Sequence, residues 1–153
     1  MGKEGKSKNN ASIGNAGEYF VAGELERHGL TAAVPMSHTK DFDILAIDRN
    51  TYKQFAIQVK TTSYKQKKWT LTQKNENIEA ENIIYFFVAL NGLGQPEYHI
   101  VPSRDVAKKL KEDYEKWLKT PGVKGQKHND TQLRNFYDKD DFYLDNWKAL
   151  ELS

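Results

Sequence analysis

Cysteine is missing altogether from the 153 residues. Its absence excludes disulfides, thiolate zinc sites and cysteine nucleophiles together, and it fits a reducing compartment such as the cytosol. Long apolar runs are missing too. The longest, IIYFFVAL at residues 83–90, falls short of the roughly 18 residues a membrane span needs and has the length of a buried strand. The opening residues MGKEGKSKNN contain no apolar stretch, so they read as no signal peptide. Glycine is sparse near strand ends, with no phosphate-cradling loop and no G-x-S-x-G elbow, which argues against nucleotide-binding folds and serine hydrolases. The four histidines are scattered without metal-ligand spacing. A cytoplasmic protein with no membrane partner is the expectation.

Apolar residues at 38% and charged residues at 29% suit one water-exposed domain mixing helices and strands. Net charge is only +2, but its distribution is uneven. Between Thr51 and Asn75 lie Lys53, Lys60, Lys65, Lys67, Lys68 and Lys74 with no acid, whereas Asp138, Asp140, Asp141, Asp145 and Glu151 crowd the C-terminus. A basic cluster of that kind attracts phosphate backbones through counterion release. A solvated loop is the plainer reading. Tyr64 and Trp69 interleave with these lysines, which suits base stacking or, more simply, packing on the core.

The stretch DFDILAIDRNTYKQFAIQVK, residues 41–60, predicts a β-hairpin: two runs rich in β-branched and aromatic residues flank a polar turn. Side chains alternate faces with period two. Asp41 and Asp43 therefore share a face of the first strand, and Gln58 and Lys60 share a face of the second. Two acids, an amide and a lysine gather at one end of the pair, where burial demands partners or a metal.

Upstream, residues 1–12 are polar and expected to be disordered. Ser12 or Asn15 is a candidate cap for a helix ending near His28, with Gly29 at its C-terminal stop. On that helix Glu18 shares a stripe with Val21, Ala22 and Leu25. Short strands are predicted at LTAAVPM (30–36), WTLT (69–72), Ile83–Leu90 and YHIVP (98–102). Ser103 is the candidate cap of a helix over SRDVAKKLKEDYEKWLK. A Gly- and Lys-rich loop follows, in which Lys124, Lys127, His128 and Arg134 form a candidate second phosphate-contacting arm; His38 and Lys40 precede the hairpin in a similar position. The terminal FYDKDDFYLDNWKAL is expected to dock its aromatics on the body, and its acids match no EF-hand.

In order and spacing these features resemble the PD-(D/E)xK phosphodiesterase superfamily, whose fold is that of type II restriction enzymes and archaeal Holliday-junction resolvases. The family pattern is an acid leading into an apolar strand, then (D/E)-x-K on the next strand, often with a glutamate on an earlier helix. Here Asp43 precedes ILAI, Gln58-Val59-Lys60 stands where (D/E)-x-K is expected, and Glu18 lies on the upstream helix. The chain is a Q-x-K variant, with an amide where the family has its second strand acid.

The resemblance spans roughly residues 14–103. It implies an α/β protein, a restriction-endonuclease-like mixed β-sheet flanked by helices with a C-terminal helical extension. Residues 13–153 would form one nuclease domain, with 119–153 as the extension. It further implies a DNA endonuclease using Mg²⁺, or Mn²⁺ as substitute, in which Glu18, Asp43, Gln58 and Lys60 are catalytic. Asp43, Gln58 and Glu18 would hold the metal, with Asp41 as the rival ligand to Asp43. Lys40, Lys65, Lys67, Lys68, Lys124 and Lys127 would contact DNA, and a homodimer would serve both strands of a duplex. Gln58 keeps a second reading open, a catalytically inactive DNA-binding or partner module of the same fold. A third leaves the polar strand residues to structural hydrogen bonds.

Overall fold

The computed structural model describes residues 3–36, 41–64 and 67–152, with side chains from Asn10 onward. Segments rich in β-branched and aromatic residues form strands β1 (Leu30–Ala33), β2 (Ile44–Asp48), β3 (Gln54–Thr62), β4 (Lys68–Thr72), β5 (Ile83–Ala89), β6 (Glu97–Pro102) and β7 (Leu133–Tyr137). The helices are α1 (Lys3–Arg27) and α2 (Ser103–Lys119), with short 3-10 turns at Gln73–Asn77 and Trp147–Leu150. The main sheet has the order β1-β2-β3-β5-β6, and β4 and β7 make a separate antiparallel pair. Within the main sheet β3 and β5 run parallel, and every other neighbouring pair is antiparallel. The crossover that a parallel pair requires contains β4.

Each face of the sheet carries its own core. On one face Val21 and Leu25 of α1 pack on Ile44, Ala46, Phe55, Ile57, Ile84 and Phe86. On the other, Val106 and Leu110 of α2 join Trp69, Leu71 and Phe136 of the small sheet against Tyr85, Phe87 and Val101. Both faces of β5 are thus covered, which is why Ile84–Ala89 read as an unbroken apolar run instead of an alternation. Trp69 is core: its Nε1 donates to the buried Val88 carbonyl at 3.0 Å. Gly29 ends α1 with φ +94°, a left-handed conformation glycine adopts without a Cβ penalty.

Three expectations are corrected. First, α1 starts at Lys3, ahead of the Ser12 and Asn15 caps and within the stretch expected to be disordered. Second, Ser103 is no cap: its hydroxyl donates to the Ala80 carbonyl at 2.8 Å and accepts the Ala80 N–H at 3.0 Å, clasping the loop before β5. Third, the C-terminal extension is not helical. It supplies β7, which pairs with β4, and among the described residues its one helical element is the turn at Trp147–Leu150. Trp147 stacks on His28 at 3.5 Å and Phe136 is buried, so these aromatics of the segment dock on the body, whereas Phe142 stays exposed.

Candidate active site

β3 outruns β2. The ladder between them ends at Ile44 opposite Ile57, while β3 continues to Thr62 along β5. Past that point the ladder gives way to side-chain bonds. The Asp43 N–H still donates to the Ile57 carbonyl at 2.8 Å, but the Val59 N–H is taken by the Asp43 carboxylate, Oδ2, at 2.8 Å. A buried strand edge needs such an acceptor. The Gln58 side-chain amide donates to the Asp41 carbonyl, which fixes the amide and leaves its oxygen available. Asp43 is half-buried, whereas Asp41 is exposed and enters the hydrogen bonding through its backbone.

Gln58 and Lys60 lie on the face of β3 that also carries Tyr85 and Phe87, directly opposite them on β5. Lys60 is half-buried, and among the described residues no acid pairs with its ammonium. It lines a cleft of about 300 Å³ with Thr61, Thr62, Lys68, Trp69 and Thr70, where the small sheet meets the end of β3. Two lysines and three threonines give this cleft the donors and positive charge that suit a phosphate chain.

Glu18 comes from the other side. It stands half-buried on α1, which covers the opposite face of the sheet. Its neighbour Gly17 lies against Thr61: a Cβ there would come within 1.8 Å of Thr61 Oγ1. Only glycine lets the helix approach β3 this closely, one residue past Lys60. Because a strand's N–H groups point along the sheet plane, the Asp43 carboxylate on the Val59 N–H lies at the strand's edge, between the two faces. The structure thus brings the Asp43 carboxylate to the backbone between Gln58 and Lys60, while Glu18 stands on α1 next to the Gly17 that packs on Thr61.

The expected DNA-contacting lysines divide. Lys40 and Lys65, like His38, lie outside the described residues. Lys68 lines the cleft. Lys67 is ion-paired with Asp141 at 2.7 Å. Lys124 and Lys127 are exposed on the loop after α2. Arg134 is no phosphate arm: it is 4% exposed, bonded to Glu76 at 2.5 Å and stacked 3.3 Å over the Tyr114 ring. Sequence reasoning missed Gly17 and the Thr61–Thr62 wall of the cleft, since a glycine inside a helix announces no particular neighbour.

No family model matches the chain, and no curated protein does. Among solved structures it is similar to a bacterial homing endonuclease, at 13% identity and TM-score 0.50 over 90% of this chain and 88% of that one. The chain has a restriction-endonuclease-like fold. A second similar structure is Hjc, a Holliday junction resolvase of Archaeoglobus fulgidus, at 14% identity and TM-score 0.47 over 84% of this chain and 86% of that one. Within the restriction-endonuclease-like fold, the long β3 carries the Q-x-K residues past the end of its ladder with β2, at a strand edge closed by the Asp43 carboxylate.

The side chains at that edge fit a hard cation. Asp43 offers a carboxylate and Gln58 an amide oxygen, so the donors are all oxygen, as Mg²⁺ and Mn²⁺ prefer.

Proposed function

We propose that the chain is a divalent-metal-dependent endonuclease that hydrolyses phosphodiester bonds in DNA, with Asp43, Gln58, Lys60 and Glu18 as its site. The observation that carries this reading is the Asp43–Val59 hydrogen bond, which holds a carboxylate between Gln58 and Lys60 on an endonuclease-like fold. Asp43 and the Gln58 oxygen would hold the cation, with Glu18 reaching the same edge from α1. A bound Mg²⁺ or Mn²⁺ supplies Lewis acidity toward the phosphate and a more acidic water. Lys60 stabilises the negative charge that develops on the phosphate and orients the attacking water. Lys68 holds the adjoining phosphate in the shared cleft, and Lys124 and Lys127 extend the contact. A homodimer places two such sites on one duplex.

Gln58 removes one negative charge relative to an acid there, so the cation binds weakly until DNA contributes phosphate oxygens. The test is cleavage of supercoiled plasmid, linear duplex and a branched junction in Mg²⁺ or Mn²⁺, with EDTA and Lys60→Ala as controls. Cutting that requires metal and Lys60 supports the reading. Binding without cutting, indifferent to Lys60→Ala, would replace it with a recognition module.

A further inference from the structure

A second group of ligand-type side chains lies on the same face of the sheet, two strands from Lys60. The β3–β5–β6 register aligns Lys60, Phe87 and His99 in one row. At about 4.8 Å per strand, that sets His99 roughly 10 Å from Lys60 between Cα positions. Glu97 and His99 are two apart on β6, and Asp141 folds over them after β7. One ligand atom from each of the three lies within 4.8 Å of the others.

His99 is fully buried. Its Nδ1 is 2.6 Å from Asp138 Oδ2, and Asp138 also accepts the N–H groups of Phe142 and Tyr143, both at 2.9 Å. A carboxylate so engaged is an acceptor, so Nδ1 carries the proton and Nε2 keeps its lone pair. That Nε2 has no hydrogen-bond partner. It sits 4.0 Å from Glu97 Oε2, too far for a hydrogen bond. Two ligands about 2.1 Å from a shared ion stand roughly 3.4 Å apart at the tetrahedral angle and at most about 4.2 Å apart, so a small inward turn of the Glu97 side chain brings the pair to a metal's span. A carboxylate behind the far ring nitrogen is the usual support of a metal-bound histidine.

Charge points the same way. Three carboxylates, Glu97, Asp138 and Asp141, converge on this spot. Lys67 lies 2.7 Å from Asp141 Oδ1. Carboxylates gathered around a buried imidazole favour a divalent cation.

We propose that Glu97, His99 and Asp141 bind a divalent transition metal of the zinc type, separate from the candidate nuclease site, with a water in the fourth position. The ion ties the C-terminal segment to β6, where that segment already bonds through the Ile100 N–H to Tyr143 and the Asp145 N–H to Tyr98. One imidazole and two carboxylates suit zinc. Lys67 is its built-in competitor, because its ammonium rests against a ligand oxygen and gives way when the ion enters.

The test uses the full-length chain stripped with EDTA and titrated with Zn²⁺ by calorimetry, with metal content measured after gel filtration. Asp43→Asn serves as a background lacking the nuclease-site carboxylate. Expected are one Zn²⁺ per chain in both wild type and Asp43→Asn, and a melting temperature raised by Zn²⁺ in both. Glu97→Gln and His99→Asn should weaken binding by tenfold or more, and Lys67→Gln should tighten it about tenfold. Glu97→Gln keeps the side chain's shape on a part-exposed residue, so its circular dichroism should match wild type even if His99→Asn unfolds. Zn²⁺ held equally well by wild type and Glu97→Gln would overturn the proposal. So would binding lost in Asp43→Asn, or weakened by Lys67→Gln.

Discussion

The Asp43 carboxylate accepts the Val59 N–H at 2.8 Å, and this one bond takes over where the β2–β3 ladder ends. It closes an open strand edge and, in doing so, fixes an acid between an amide and a lysine. The two acids of the hairpin are thereby distinguished: Asp43 turns its carboxylate to the edge, while Asp41 offers Gln58 its backbone carbonyl.

Substitution should separate those acids. Asp43→Asn retains an oxygen for the Val59 N–H, so stability changes little while metal-dependent cleavage falls by at least about a hundredfold. Asp43→Ala loses activity and also about 1–3 kcal/mol of stability, because the Val59 N–H is left without its acceptor. Asp41→Asn should leave both nearly unchanged. Plasmid-cleavage rates and urea midpoints read the difference; a cleavage defect in Asp41→Asn alone would move the ligand assignment to Asp41.

Gln58→Glu restores a second acid at the strand. Mg²⁺ affinity without DNA should rise by about tenfold, since the added charge lies beside the cation. Stability should fall slightly, because a carboxylate cannot donate to the Asp41 carbonyl. Calorimetric Mg²⁺ titration of both proteins, with and without duplex, measures this, and unchanged metal affinity would place the cation away from Gln58.

Gly17→Ala tests the approach of α1. The new Cβ meets Thr61 Oγ1 at 1.8 Å and its Cβ at 2.9 Å, so helix or strand must shift. A loss of about 1–3 kcal/mol is expected, against the small gain that alanine brings to an exposed helix position. Thr61→Gly in the same chain should recover much of the loss, as denaturant midpoints of the four proteins would reveal. A neutral Gly17→Ala would contradict the close contact.

Alkaline titration probes the C-terminal segment. Burial, helped by the Asp105 carboxylate that accepts its hydroxyl proton at 3.0 Å, pushes the Tyr143 pKa up to about 12. Burial, with Glu24 adding to it, does the same for Tyr98. Both folded-state values lie above the ordinary tyrosine value of about 10. The native state therefore holds its protons longer than the unfolded state, and that contribution is complete below pH 10. Stability should fall as pH rises from about 10 to 12. Urea midpoints at pH 9, 10.5 and 11.5, beside tyrosinate absorbance, check the sign. Asp105→Asn should bring Tyr143 ionisation to lower pH.

Local pattern was enough for much of this molecule. The alternation in residues 41–60 predicts the β2–β3 hairpin and the common face of Gln58 and Lys60, because strand period and turn chemistry are properties of neighbours in sequence. The helix α2 and the unbroken run of β5 were legible for the same reason. Failures fell where a residue had two local uses. Ser103 has the composition of a helix cap, but its hydroxyl met a better-placed pair of backbone groups at Ala80. Arg134 sits in a basic stretch that reads as a surface arm, yet β4–β7 pairing turned it inward onto Glu76 and Tyr114.

By itself the sequence determined which side chains share a face and which segments become β1 to β6, since those follow from periodicity and burial; β7 it did not announce. Tertiary structure alone decided which distant segments touch. That the edge of β3 would be left for the Asp43 carboxylate depends on where β2 stops pairing. That Gly17 would admit α1 beside Thr61 depends on how helix and sheet cross. His99 and Asp138, 39 residues apart, and Lys67 and Asp141, 74 apart, met only because β7 and the segment after it close over β6. Contacts of that range are set by the sheet's strand order, and no spacing in the chain encodes them.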